Sequence, residues 1–241
     1  MSAVPPRVPV PTDRAALAVA FCPSPPLLVP AVEGRPDQVT VALRRACADA
    51  VGAMLSVRPE VVVVVGPGAA DGTRFGTGDV GDLATFGVPV QIPFDGRVRP
   101  AGRRVPLAHT LGAWLLDEAG YAGTRVGLAP GELGGLLRNP PGPVGVLAMA
   151  DGSARRTLKA PGYLDEAAEP FDAAVAAALA TGDAAALAVL DPGEGERLMA
   201  AGVPTWRAVG ATLSGRDVVA RLHYDAAPFG VGYLVADWLV A

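Results

Sequence analysis

Few residues in this chain could carry chemistry. A metal centre needs several His, Cys, Asp or Glu side chains converging on one point. His109 and His223 are the two histidines present, so a three-histidine site is excluded and a two-histidine, one-carboxylate site needs both. His109 falls off the apolar stripe of its helix, which predicts surface exposure. His223 shares one strand face with Val219, Arg221 and Asp225, so with Asp225 as orienter it is a candidate base. A serine nucleophile needs an adjacent base, and neither Ser24 nor Ser153 lies in G-x-S-x-G. Ser24 reads equally as a turn hydroxyl between prolines. Asp151 and Ser153 read either as catalytic groups or as side chains that satisfy backbone donors in a turn. Arg155 and Arg156 are forks suited to a carboxylate or phosphate, or else the solvated end of a strand.

These residues fall at the ends of readable elements. Ala15 to Cys22 is nearly continuous in apolar residues, as expected of a strand covered on both faces. It runs into the stiff loop Pro23-Ser24-Pro25-Pro26. A helix is expected from Pro36 to Val57, with Val39, Leu43, Cys47, Val51 and Met54 as its apolar stripe. Cys47 on that stripe reads as a packed thiol. Glu60 to Gly66, EVVVVVG, reads as a central strand. The glycine-rich stretch from Gly66 to Asp82 lacks a GK[ST] ending and opens into no helix, so it is a poor phosphate loop but a good site wall. Val88 to Phe94 carries two prolines and reads as an edge strand. A helix over Pro106 to Ala119 and a strand over Thr124 to Ala129 follow. Val144 to Ala150 is a buried strand that ends in Asp151-Gly152-Ser153-Ala154-Arg155-Arg156. Leu164 to Leu213 reads as helical, with Asp165 and Asp191 as N-caps and Trp206, Val209 and Leu213 as the stripe of its last helix. Val218 to Tyr224 and Val231 to Val240 form a closing hairpin. The alternation predicts one α/β domain over 15–241, a mixed central sheet with helices on both faces, preceded by a flexible leader over 1–14.

Bulk composition narrows the function classes. The 241 residues are 51% hydrophobic and 18% charged, enough to bury a substantial core. No run of about 18 uninterrupted apolar residues exists, so no membrane span is expected. The leader has no continuous apolar stretch and does not read as a secretory signal. A net charge of −4 with scattered basic residues argues against nucleic acid. Cys22 and Cys47 are expected to be reduced thiols of a cytoplasmic protein.

Four segments taken together carry a family resemblance. They are Phe21-Cys22-Pro23-Ser24-Pro25-Pro26-Leu27-Leu28-Val29-Pro30, the strand and loop from Val61 to Gly68, Asp151 to Arg156, and YDAAPFGVGY from Tyr224 to Tyr233. In order and spacing they resemble the class III extradiol ring-cleavage dioxygenases. The match is to the catalytic subunit-B-like (LigB-like) fold that the Memo proteins share, and to its compact actinobacterial branch. The resemblance implies an iron(II) site of two histidines and a glutamate that opens a catechol ring with dioxygen. In catalytic members the first histidine stands in an H-P-P-x-L segment, and Ser24 holds that position here. The second follows the central strand, where this chain reads Gly66-Pro67-Gly68-Ala69-Ala70-Asp71. The acid–base histidine follows a serine, and here Ala154 follows Ser153. The glutamate ligand has no counterpart that the pattern places.

Three functions follow. One is an extradiol oxidoreductase with a different ligand set drawn from Cys22, Asp71, Asp151 and His223. The second is a metal-free descendant that binds a small molecule, aromatic or otherwise, or a partner between the Ser24, Gly68 and Ser153 loops. Pro25, Gly66, Gly68, Asp71, Arg155 and Tyr224 would line that site. The third is a metal-independent, hydrolase-type enzyme using Ser24, Asp151 or His223. The second is favoured, because a serine hydroxyl is a poor iron ligand and alanine transfers no proton. No cofactor is then expected, although the family implies iron(II). Subunit-B-like proteins also pair with a second subunit or self-associate.

Overall fold

Burial on both faces decides the architecture. The structure, a computed structural model, describes residues 16–140 and 142–241. The expected leader and Ala15 lie outside the described residues. The chain runs β1 (Leu17–Cys22), α1 (Pro30–Glu33), α2 (Gln38–Leu55), β2 (Val61–Val65), β3 (Arg74–Phe75), β4 (Val80–Asp82), β5 (Gln91–Pro93), α3 (Leu107–Glu118), β6 (Thr124–Leu128), α4 (Leu133–Leu137) and β7 (Val144–Met149). It continues through α5 (Ala168–Thr181), α6 (Ala184–Ala188), α7 (Pro192–Arg197), α8 (Val203–Leu213), β8 (Val218–Ala226) and β9 (Tyr233–Val240). Every residue of β1, β2 and β7 is buried, so these strands need helices above and below.

The sheet has the order β3-β6-β2-β7-β1-β9-β8. β6, β2, β7 and β1 run parallel, and β9 and β8 close one side antiparallel. Ala18, Ala20 and Cys22 of β1 face α2 and α3, whereas Val19 and Phe21 face the layer of α4, α5, α6 and α8. Trp238 anchors that second layer. Its ring lies edge-on to Phe21 at 4.9 Å, and its Nε1–H donates to the Leu179 carbonyl. The expected mixed α/β fold with helices on both faces is therefore present. Among the described residues no helix is long and apolar enough to cross a membrane.

Several expectations need correction. The strand expected over Val88–Phe94 shrinks to Gln91–Pro93 and pairs only with β4, in a two-stranded ribbon apart from the main sheet. The glycine-rich stretch is not one loop, because β3 and β4 lie within it. The helical region begins at Ala168 rather than Leu164, and Asp165 bonds the Ala167 N–H ahead of the first turn. Asp191 does cap its helix, through the Glu194 N–H. His109 is not exposed. It is fully buried, with its ring against Phe75 at 5.2 Å and Phe94 at 6.4 Å. The excursion through β3, β4 and β5 covers the side of α3 that a single-stripe reading leaves to solvent.

His109 donates from Nε2 to the Leu128 carbonyl at 3.0 Å, which leaves Nδ1 buried without a partner among the described residues. Burial pushes its pKa down to about 4, against a small opposing effect of the Leu128 bond. A depressed histidine stabilises the fold fully above its ordinary value of about 6.5, and that stability is lost as pH falls. Between pH 6.5 and 4 the wild type should lose up to about 3 kcal/mol that His109→Gln retains. Denaturant unfolding of both proteins at stepped pH measures the difference.

Candidate functional site

Polar side chains are excluded from the middle of a doubly covered strand, so the chemistry collects at its ends. The end is set by topology. β7 sends the chain to the α5 face, whereas its neighbours β1 and β2 send it to the α2–α3 face. A crevice at the carboxyl ends of the strands is the usual ligand position in such sheets. Cys22 pairs with Met149, and Ala150 N–H donates to the Cys22 carbonyl. Two residues beyond that pair, past the end of each strand, Ser24 meets Asp151.

The contact is complete on both sides. Ser24 donates its backbone N–H to Asp151 Oδ1 at 2.8 Å and its hydroxyl to Oδ2 at 2.7 Å. The prolines hold Ser24 for this. Pro25 is extended, and Pro26 opens a tight turn in which the Leu28 N–H donates to the Pro25 carbonyl. Burial raises the Asp151 pKa, and the two Ser24 bonds oppose that rise. From the antiparallel side β9 brings Tyr233, whose phenol is held protonated by burial first and by the Asp151 and Tyr224 charges second. Burial likewise raises the Tyr224 phenol.

The remaining candidates are placed elsewhere. Ser153 is fully buried. Its N–H donates to Asp172 Oδ1, its hydroxyl donates to the Leu198 carbonyl, and its Oγ accepts from the Arg155 N–H. Arg156 closes that network on Asp172 at 2.8 Å. Arg155 ties its own loop together through the Gly162 and Arg197 carbonyls. Gly66 is a packing glycine: an added Cβ would lie 2.8 Å from Ala108 Cβ. Gly68 has φ +91° and sits against Pro106. Asp71 is exposed and lies by Gly131, in the turn after β6. The Cys22 thiol is pushed well up by its bond to Cys47, then by burial, and stays protonated.

The expected alliance of His223 with Asp225 does not form. Leu222 pairs with Ala236 and Tyr224 with Val235, which leaves His223 as the extra residue of a bulge. The bulge turns Asp225 to the side of Leu234, opposite the face of Tyr224 and Val235. His223 instead bonds Asp237 of β9 through Nε2, and both side chains are 7% exposed. Sequence reasoning missed Asp237. The signal was there: an acid inside the otherwise apolar strand YLVADWLV demands a buried partner.

Among the described residues no three His, Cys, Asp or Glu side chains converge as a metal site would require. Ser24 gives both its donors to Asp151, Cys22 is a buried thiol and His223 is held by Asp237. These residues do not fit a mononuclear iron(II) centre. Beside Asp151 lies a cavity of about 430 Å³, walled by Pro67, Pro192, Met199, Ala201 and Pro204, with Glu196 among its lining. The chain is continuous with the site there, since the Gly202 N–H donates to the Asp151 carbonyl at 2.8 Å. A larger groove of about 540 Å³ opens by Glu60, Val61 and Thr124, at the amino ends of β2 and β6, the wrong edge for this topology. No family model matches the chain, and no curated protein matches it.

Two variants test the Ser24–Asp151 contact. Ser24→Ala should cost about 1–3 kcal/mol, because a buried carboxylate oxygen loses its donor. Asp151→Asn keeps both bonds, with its amide nitrogen donating to Ser24 Oγ. Asp151 has a raised folded pKa, so its contribution is full below the ordinary carboxylate value and is lost as pH rises through the raised one. The stability of Asp151→Asn relative to wild type should therefore grow as pH rises from 4, measured by denaturant unfolding. A flat difference contradicts the buried carboxylate.

Proposed function

We propose that this protein is a metal-free relative of the extradiol ring-cleavage dioxygenases that binds a small, largely apolar molecule at the carboxyl edge of its sheet. One observation carries the reading: Ser24, at the position of the family's first iron-binding histidine, gives both its donors to Asp151. A residue so engaged seals the crevice between β1 and β7. Its hydroxyl proton is held by that carboxylate, and a neutral serine hydroxyl is a poor substitute for imidazole on iron. Tyr233 beside it keeps its proton and supplies no base.

The cavity next to this contact supports the binding half of the proposal. Its volume of about 430 Å³ falls in the range of small-molecule sites, which are lined mainly by apolar groups. Proline and alanine walls are rigid, so little order is lost on binding.

The test has two parts. Protein purified anaerobically with iron(II) should carry far less than one iron per chain, and stoichiometric iron overturns the metal-free reading. Benzyl alcohol, a neutral aromatic probe, should give saturation-transfer signals with the wild type. Ala201→Trp, which fills the cavity from an exposed position, should abolish them. Signals that survive in that variant place the binding elsewhere.

A further inference from the structure

The charge around the cavity is uneven, and this specifies what the cavity takes. Glu196 is the one ionised side chain in its lining. Among the described residues its carboxylate has no ion-pair or hydrogen-bond partner. The nearby cations are already engaged. Arg197 pairs with Asp165 at 2.5 Å and with Glu194 at 3.6 Å. Arg155 gives its guanidinium to the Gly162 and Arg197 carbonyls and faces Asp165 at 3.6 Å. The wall therefore presents one uncompensated negative charge beside apolar surface.

The rim extends that surface outward. Among the described non-glycine residues, φ is positive at Arg58, Tyr163 and Met199, and the last of these lies at the cavity. Met199 lines the cavity, and Gly162 packs so closely on it that an added Cβ would lie 2.5 Å from its sulfur. Met199 is 48% exposed. Left-handed backbone is unfavourable for such side chains and clusters at ligand clamps. Here it holds the Met199 side chain out at the cavity. Methionine also adapts to flat and irregular partners.

We infer that the cavity selects a small apolar cation: a hydrocarbon or aromatic body seated on Pro67, Met199 and Pro204, carrying an ammonium that faces Glu196. This rests on the binding reading above and names its ligand class. A carboxylate ligand would meet Glu196 as a like charge, and a neutral ligand would leave it unpaired.

Three isosteric probes decide the matter: benzylammonium, benzyl alcohol and benzoate, titrated by NMR at pH 7 and low salt. Benzylammonium should bind about three- to fivefold more tightly than benzyl alcohol, the range open to an exposed ion pair. Benzoate should bind most weakly, and high salt should compress the series. Glu196→Gln should bring benzylammonium and benzyl alcohol together while leaving benzyl alcohol unchanged. Glu196 is exposed on α7, so this variant folds. If benzyl alcohol binds, is lost in Ala201→Trp, and charge makes no difference, the cation inference falls and the pocket reading stands. If none of the three probes binds, both fall. Benzoate binding as tightly as benzylammonium overturns the inference outright.

Discussion

Burial of β1, β2 and β7 on both faces is the constraint from which the rest follows. A strand with helices above and below has no room for polar side chains along its length. Five valines in β2 and the alanine-rich β1 satisfy that demand with small, β-compatible groups. Polar chemistry is left to the strand ends. The opposite crossovers of β7 and its neighbours then make the carboxyl edge the place where loops part. Ser24 and Asp151 occupy that parting and close it.

The buried and half-buried acids share one logic. Asp151 is met by Ser24, Asp172 by Arg156 and the Ser153 N–H, and Asp237 by His223. Each has a dedicated donor, as desolvated carboxylates require. These pairs are structural commitments, and a committed acid is a poor catalyst. Glu196, an acid without such a donor, lies on the cavity wall instead. This division between sealed interior contacts and an open rim separates stability from recognition.

Local pattern carried much of this fold into view. The valine run, the stripe of α2, the Asp191 cap and the Trp206 face of α8 depend on near neighbours, and each reads correctly along the chain. Ser24 and Asp151 could each be singled out, but their contact spans 127 positions and no periodicity reports it. His109 was misplaced because amphipathic reasoning assumes one covered side, whereas Phe75 and Phe94 cover a second. His223 was misplaced because alternation assumes an unbroken ladder, and one extra residue reverses every side chain after it. Asp237 and Glu196 had no motif to announce them. One is legible only as an acid out of place in an apolar strand, and the other only once the cavity exists.

The position of β1 has a consequence for how the protein is made. Its two partners are β7, more than a hundred residues later, and β9, which ends at Val240. As the chain leaves the ribosome, LAVAFC emerges ahead of the other described strands and meets its second neighbour only once β9, more than two hundred residues later, has followed. The two-layer core cannot close vectorially. The chain must hold an apolar strand with both edges bare until β7 arrives and with one still bare until β9 follows. Such long-range pairing is slow and exposes the nascent chain to association with other chains. The same placement that protects the site in the finished molecule makes its first strand the longest-waiting one during biosynthesis.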